Sequence, residues 1–321
     1  MGADAVTRDR ACSMVYARRR FPLTVSIIFP YGPYHAAPML SYRHAFHAGN
    51  FADVHKHIVL SMAVGSLLHK DPPFCYLDSH AAAGRYDLHS AEALKNAEHQ
   101  QGILRIWHLD GIPEEVQPYL SAVRSMNSPT AVDTPRYYPG SPRIVRHFMR
   151  PQDRMILTEL HPDDFRRLRQ EFAADRQVAV HHLDGYQGVK AFLPPKERRG
   201  LILMDPAYER RDEAARLIAA LQAAYQRWPQ GIFLLWLPIT NRATLTDFYQ
   251  RLEKTAIRKI LGCELCIRPP ITAHQLNGSA MIIINPPWQM DERLGELHPW
   301  LAEVLADKGK GGHQVTWLAG E

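Results

Sequence analysis

Short apolar runs that end in an acidic residue recur through the middle of the chain. Four such runs lead to Asp78, Glu159, Asp184 and Asp205. Segments with helical spacing of apolar residues, such as 162–172, lie between them. This alternation of strands and helices predicts an α/β fold with a parallel, doubly wound sheet.

The C-terminal part departs from the alternation. Two apolar runs, 264–267 and 280–284, are separated only by the Pro-, Asn- and Gly-containing stretch 269–278, which predicts an antiparallel pair that closes the sheet. About 75 residues separate the first strand from the second, which is more than a normal crossover needs. Because part of this stretch has helical spacing, we predict a helical insertion at about 88–135.

Residues 1–38 carry no sustained helical or strand period and contain five arginines but only two aspartates. We expect them to be a disordered extension, with Met39 as the native start and the main domain over 39–321. The remaining chain has 33 basic and 31 acidic residues, so the net charge of +5 lies mostly in the extension. A nucleic-acid partner is therefore compatible with the charge but is not required by it.

The composition indicates a cytoplasmic protein without a membrane span. The chain has four cysteines in 321 residues, too few and too irregularly spaced for a disulfide framework. Its apolar runs are all shorter than the roughly 18–20 residues that cross a bilayer.

The carboxyl ends of parallel strands are where open α/β sheets bind ligands. The loop after the first strand, 79–86, is rich in small residues, which lets the backbone approach a ligand closely. It is neither the Gly-x-Gly-x-x-Gly loop of dinucleotide enzymes nor a phosphate-binding loop of ATPases. A cationic nucleoside without a pyrophosphate, such as S-adenosylmethionine, fits a pocket rich in carboxylates.

The sharpest chemical feature is Asp205-Pro206-Ala207-Tyr208, which directly follows the apolar run 201–204. A carboxylate and a backbone carbonyl that accept the two N–H bonds of an exocyclic amine direct its lone pair toward an electrophile. The carboxylate can then take the proton, and the tyrosine ring can stack on an extruded base. The loop therefore predicts methylation of an adenine amino group.

A second segment, Asn285-Pro286-Pro287-Trp288, matches the same pattern and also follows an apolar run. If the closing strands are antiparallel, however, this segment lies at the opposite edge of the sheet from the cofactor. We therefore predict that it is a structural turn.

No metal site is predicted. His55 and His57 stand two apart on a predicted helix, so they do not face the same way. Cys263 and Cys266 stand three apart on a predicted strand, so they point to opposite faces and are expected to be core residues.

The sequence closely resembles the RlmJ family, bacterial methyltransferases of adenine N6 in the 23S rRNA of the large ribosomal subunit. The resemblance covers essentially all of 39–321 and rests on segments 39–50, 56–57, 78–86, 136–142, 158–162, 184–185, 199–208 and 285–288. It implies a class I, Rossmann-like methyltransferase sheet with antiparallel closing strands and the helical insertion. It also implies S-adenosylmethionine as cofactor, 23S rRNA as partner, and neither membrane nor metal.

The same resemblance assigns the site residues. The catalytic residues are Asp205, Pro206 and Tyr208; the cofactor-binding residues are Lys56, His57, His80, Ser141, Glu159, Asp184, Gly185 and Asp205; and Tyr42 touches the RNA. Two positions depart from the family, whose members usually have glycine where Ala82 stands and proline where Ala207 stands. Two alternatives remain open: a DNA adenine-N6 methyltransferase, and an RNA-binding homologue with impaired catalysis.

Overall fold

The computed structural model describes residues 42–129, 134–269, 275–307 and 310–320. The predicted extension 1–38 and the start at Met39 lie outside the described residues. The strands are β1 (Cys75–Asp78), β2 (Arg85–Asp87), β3 (Tyr137–Pro139), β4 (Arg154–Glu159), β5 (Val178–His182), β6 (Gly200–Met204), β7 (Ile232–Ile239), β8 (Ile260–Cys266), β9 (Gly278–Ile284) and β10 (Gly312–Ala319). The helices are α1 (Phe51–Leu68), α2 (Ala91–Asn96), α3 (Ile103–Trp107), α4 (Gln117–Ser125), α5 (Ser141–Phe148), α6 (Pro162–Glu171), α7 (Gly185–Phe192), α8 (Glu213–Arg227), α9 (Arg242–Glu253) and α10 (Met290–Leu305).

Eight strands form one sheet in the order β10-β8-β9-β7-β6-β1-β4-β5. The five strands from β7 to β5 are parallel, whereas β9, β8 and β10 join by antiparallel pairs. The predicted parallel sheet with antiparallel closing strands is therefore confirmed. Strand β1 lies between β6 and β4, which brings the loops after these three strands together at one edge.

The direction of β9 decides between the two Asp/Asn-Pro motifs. Ile284, the last residue of β9, pairs with Phe233 near the start of β7, so Asn285 lies at the edge opposite to Asp205. The Asn285 amide donates to the carbonyl oxygens of Pro229 (2.7 Å) and Gly231 (2.8 Å). Asn285 thus serves as a structural turn residue, as predicted.

Both faces of the sheet are covered by helices, which is why the central strands are apolar throughout. Leu201 and Leu203 of β6 belong to the core shared with α1, α4, α5 and α10. The alternate residues Ile202 and Met204 belong to the core on the other face, with α7, α8 and α9. This alternation follows from the two-residue period of a strand.

Helix α1 is buried along most of its length and packs against the sheet and α5. It begins after Asn50, whose side chain accepts a hydrogen bond from the Asp53 amide (2.9 Å), a standard N-terminal cap. The segment Asp71-Pro72-Pro73 follows shortly after its end, and its prolines do not continue a helix. Because both faces of α1 are enclosed, its polar residues must find partners inside the protein.

A second, two-stranded sheet of β2 and β3 was not predicted from the sequence. Its strands have only three residues each, too short for a periodicity signal. Helices α2, α3 and α4 lie between them along the chain. The boundaries of the insertion and of the domain stay predictions. Within the described ranges, no helix is long and apolar enough to cross a membrane.

Candidate active site

The centre of the candidate site is an ion pair between α1 and the loop after β6. The Lys56 ammonium donates to Asp205 Oδ2 at 2.6 Å and lies 2.9 Å from Asp53 Oδ1, one turn earlier on the helix. Burial alone lowers the pKa of an amine, but the charges of Asp205 and Asp53 outweigh burial and raise the pKa of Lys56. Lys56 is therefore a fixed cation that orients the Asp205 carboxylate.

Asp53 connects this pair to the residues that precede α1. Its Oδ2 accepts from Nε2 of His44 (2.8 Å) and from the Gly49 amide (2.9 Å). Burial acts to raise the pKa of Asp53, but the charges of His44 and Lys56 hold it well below its usual value. Asp53 thus stays ionised although it is buried.

Tyr42 stands beside the catalytic loop. Its backbone amide donates to Glu209 Oε1 (2.7 Å), and its hydroxyl lies 2.9 Å from Nδ1 of His44. Its ring stacks on His47 with the centroids 5.5 Å apart, and 37% of the residue is exposed. Tyr42 is therefore held beside Glu209, and part of its side chain stays accessible.

The acid at the end of β1 shapes the loop that follows it. Asp78 is fully buried, and its Oδ2 accepts hydrogen bonds from the hydroxyls of Tyr76 and Ser141, both at 2.7 Å. Burial raises the pKa of the Asp78 carboxyl to about 6, although these hydrogen bonds oppose the shift. The structure thus places Ser141, at the start of α5, on Asp78.

Glu159, at the end of β4, accepts a hydrogen bond from the same loop. Its two oxygens accept from the amides of Ala82 (2.8 Å) and His161 (2.6 Å). Burial raises the pKa of Glu159 to about 7, and the two backbone donors keep it lower than burial alone would. Ala82 has φ of +49°, a left-handed conformation that glycine adopts without strain, which gives a physical reason for glycine there.

Asp184 caps the N-terminus of α7. Its Oδ1 accepts from the amides of Tyr186 (3.0 Å) and Gln187 (3.1 Å), and Oδ2 accepts from Arg216 (3.1 Å). A Cβ on Gly185 would stand 2.0 Å from the Ser79 carbonyl oxygen. Glycine is therefore needed where α7 meets the loop after β1.

Two histidines of the predicted pocket occupy different surroundings. His80 hydrogen-bonds Ser79 (2.7 Å) and packs edge-on against Tyr186, and burial lowers its pKa to about 4. His57 is fully buried with Nδ1 2.9 Å from the Tyr138 hydroxyl, while its Nε2 has no partner among the described residues. His80 thus contacts the loop after β1 and helix α7, whereas His57 of α1 contacts Tyr138 of β3.

Tyr208 is held in a defined position on the catalytic loop after Pro206. Its φ is +54°, its hydroxyl donates to the Trp236 carbonyl oxygen (2.6 Å), and its ring meets the Trp236 ring edge-on. The Lys56 ammonium lies 5.6 Å from the centre of the same Trp236 ring. The backbone strain at Tyr208 is thus offset by contacts to β7.

The sequence did not reveal three of these contributors. They are Asp53, His44 and Trp236, to which no role is assigned from the sequence. The Asp53-x-x-Lys56 spacing is a usable signal, because residues three apart face the same way on a helix. No local pattern marks Trp236.

The edge formed by these loops suits a cationic nucleoside. The carboxylates of Glu159, Asp184 and Asp205 lie at or just after the carboxyl ends of β4, β5 and β6. The cations Lys56 and Arg216 are each already paired with one of them. The close packing at Gly185 keeps the loops together. The fold and the site together define a class I methyltransferase that uses S-adenosylmethionine.

The relatives give the family. The family model described as "Ribosomal RNA large subunit methyltransferase D, RlmJ" matches residues 71–319. The chain is 45% identical to "Ribosomal RNA large subunit methyltransferase J" of Escherichia coli K12 and 42% identical to the Haemophilus influenzae protein of that name. Each match covers 88% of this chain and all of the relative. A crystal structure of the Legionella pneumophila protein LPL1258 aligns with a TM-score of 0.78 and 33% identity, over 84% of this chain and 98% of that one. The chain belongs to the RlmJ family.

Asp78→Asn tests the buried acid through the pH dependence of stability. The folded carboxyl has a pKa of about 6 against an ordinary value of 3.8, so the folded state binds its proton more tightly than the unfolded chain does. The resulting stabilisation is fully present below pH 4 and is lost as the pH rises through 6, in total on the order of 3 kcal/mol. We expect the stability of the parent chain relative to the variant to fall by that order between pH 4 and 8, measured by urea unfolding without cofactor. A difference that is constant with pH would contradict the assignment.

Gly185→Ala tests the close approach of α7 to the loop after β1. Because the new Cβ would meet Ser79 at 2.0 Å and His80 at 2.9 Å, the loop must move. We expect S-adenosylmethionine affinity, measured by calorimetry, to fall about 10- to 100-fold. The matched control is Gly65→Ala on α1, whose Cβ would meet no atom within 4 Å. That variant should bind normally and melt at a slightly higher temperature; equal effects of the two substitutions would disprove the packing explanation.

Proposed function

We propose that this chain transfers a methyl group from S-adenosylmethionine to N6 of a specific adenine in 23S ribosomal RNA. The observation that carries the proposal is the Asp205-Pro206-Ala207-Tyr208 loop at the carboxyl edge of the sheet, with Asp205 fixed by Lys56 at 2.6 Å. The substrate class is supported by the relatives, which are named as large-subunit ribosomal RNA methyltransferases. A cytoplasmic location follows from that substrate.

The cofactor is proposed to lie across the loops after β1, β4, β5 and β6. Lys56, His57, His80, Ser141, Glu159, Asp184, Gly185 and Asp205 are the residues proposed to bind it. The hydrogen bonds of Asp78 and Glu159 support this, because they fix the loop after β1 at this edge of the sheet. The buried Nε2 of His57, which lacks a partner among the described residues, is consistent with a role for that histidine.

The cofactor supplies an electrophilic methyl group, and the chain prepares the nucleophile. Asp205 Oδ2 is engaged by Lys56, while Oδ1 accepts no hydrogen bond from the described residues and is proposed to accept from the adenine amine. The Pro206 carbonyl is the second proposed acceptor. Together they align the N6 lone pair, and Asp205 receives the proton that the amine loses.

The target adenine must leave its stack to reach this loop. Tyr208 is proposed to stack on the extruded base, because the hydroxyl bond to Trp236 fixes the plane of its ring. Tyr42 is proposed to contact the RNA, since it is partly exposed and bonded to Glu209 beside the loop.

Asp205→Asn tests the catalytic carboxylate. We expect transfer of labelled methyl groups to unmodified 23S rRNA to fall by about 100-fold or more, because the amide cannot take the amine proton. Cofactor binding should fall much less. The control is Asp212→Asn, an exposed carboxylate a few residues later, which should keep full activity. Transfer by the parent chain to DNA alone would refute the RNA substrate, and cofactor binding without any transfer would favour an inactive RNA-binding protein.

Two variants of Tyr208 separate the effect of ring stacking from that of the hydroxyl hydrogen bond to Trp236. Tyr208→Ala removes the ring and should lower kcat/KM for RNA about 5- to 150-fold, the equivalent of ~1–3 kcal/mol for one stacked base. Tyr208→Phe keeps the ring and loses only the bond to Trp236, so it should lose less than about tenfold. Both values come from initial rates at saturating cofactor. Equal losses in the two variants would show that the ring does not stack.

A further inference from the structure

Behind the active site, three side chains with metal-binding atoms converge from three different elements. His55 of α1, Cys263 of β8 and His298 of α10 offer ligand atoms that all lie within 4.8 Å of one another. Nε2 of His55 is 3.0 Å from Nε2 of His298 and 3.9 Å from Sγ of Cys263. We propose that these residues form a buried site for a soft metal cation, and that Cu⁺ is the ion it fits best.

In both histidines Nδ1, the ring nitrogen that would not bind the metal, contacts an oxygen atom. Nδ1 of His298 donates to the Leu294 carbonyl oxygen (2.7 Å), which leaves its Nε2 with the free lone pair. Nδ1 of His55 lies 2.9 Å from the Ser279 hydroxyl oxygen. Metal-bound histidines typically donate their second ring N–H to such oxygens, which fixes the ring orientation.

The surroundings make these three side chains unusual. All three have zero exposure, and their neighbours in the core include Leu261, Leu265, Met281, Leu294 and Leu301. A hydrogen bond between the two Nε2 atoms accounts for the histidine pair. The thiol of Cys263 approaches the same point from β8 and lies 3.9 Å from Nε2 of His55.

The charge of the site selects the ion. Cys263 supplies one negative charge as a thiolate, and in the described parts of the chain no carboxylate belongs to the cluster. The neighbouring Glu264 is engaged elsewhere, with Arg242 and Tyr249. Cu⁺ with one thiolate and two imidazoles is neutral and accepts soft ligands. Zn²⁺ would leave a net positive charge in the core and would lack its usual fourth ligand.

Binding can be written with balanced atoms and no change of oxidation state. The S–H bond of Cys263 breaks, a sulfur–copper bond forms, and one proton is released to solvent. The His55 proton moves from Nε2 to Nδ1, which then donates a hydrogen bond to the Ser279 oxygen while the Ser279 hydroxyl hydrogen turns away from the ring. His298 keeps its proton on Nδ1. Because all three residues are buried, the ion enters during folding or through a local opening.

A single residue, Ser279, connects the proposed metal site to Trp236, which contacts the proposed catalytic loop. The Ser279 hydroxyl oxygen that meets His55 also accepts from the Trp236 indole N–H at 3.0 Å. Trp236 in turn contacts Tyr208 and Lys56. The ion would therefore join α1, β8 and α10 directly behind the residue that supports the catalytic loop.

The site is tested on the full chain expressed in medium with added copper and zinc, then purified anaerobically without chelators. We expect about one copper per chain by mass spectrometry. X-ray absorption should show one sulfur and two nitrogen neighbours. Cys263→Ala and His298→Leu should each abolish copper binding. Cys266→Ala is the matched control, because this cysteine belongs to the core on the other face of the sheet and should not affect the metal.

Each outcome decides between the alternatives. A folded parent chain without bound metal overturns the proposal, as does copper that persists in the double variant Cys263→Ala, His298→Leu. Zinc in place of copper, lost in the same variants, supports the site and overturns the choice of ion. The X-ray absorption spectrum of the parent chain decides the ligand set even if a variant fails to fold.

Discussion

The buried ion triad Asp53–Lys56–Asp205 joins the first helix to the loop after β6, and the arrangement of the site depends on it. Buried ions cost several kcal/mol each unless they are well paired. Here one ammonium lies between two carboxylates, and Asp53 also accepts from His44 and the Gly49 amide. Removal of Lys56 would leave the two buried carboxylates without the cation they share. The segment before α1, the helix itself and the loop after β6 therefore stabilise one another's positions.

The acids at the carboxyl edge divide into two kinds by what their oxygens meet. Asp78, Glu159 and Asp184 accept backbone or hydroxyl donors and so fix the loops after β1, β4 and β5. Asp205 differs because, although one of its oxygens is paired with the Lys56 ammonium, the other accepts nothing from the described residues. The carboxylates of Asp78, Glu159 and Asp184 thus hold the neighbouring loops, while Asp205 keeps one oxygen that can accept a hydrogen bond from a substrate.

The sheet was predictable from local patterns, and a local pattern of the same kind supports the proposal that 205–208 is the catalytic loop. Apolar runs marked the strands, and the antiparallel closure already distinguished Asp205 from Asn285. The pairing of Lys56 with Asp205 was not predictable, since the register between α1 and β6 is set by packing across 149 residues. Spacing within one helix gave no metal site for His55. The convergence of His55 with Cys263 and His298 arises from contacts over more than 200 residues, which no local spacing encodes.

Ala207 stands where family members usually have a second proline, so the loop needs another restraint beside it. The structure supplies two, on adjacent residues. The Tyr208 hydroxyl donates to the Trp236 carbonyl oxygen, and Glu209 accepts from the Tyr42 amide. Each restrains the chain within two residues of Ala207, and each is anchored on a different element. A proline would fix one backbone angle, whereas these bonds fix the position of the ring and of the loop end. The orientation of Tyr208 therefore depends on Trp236 more than on the residue at 207.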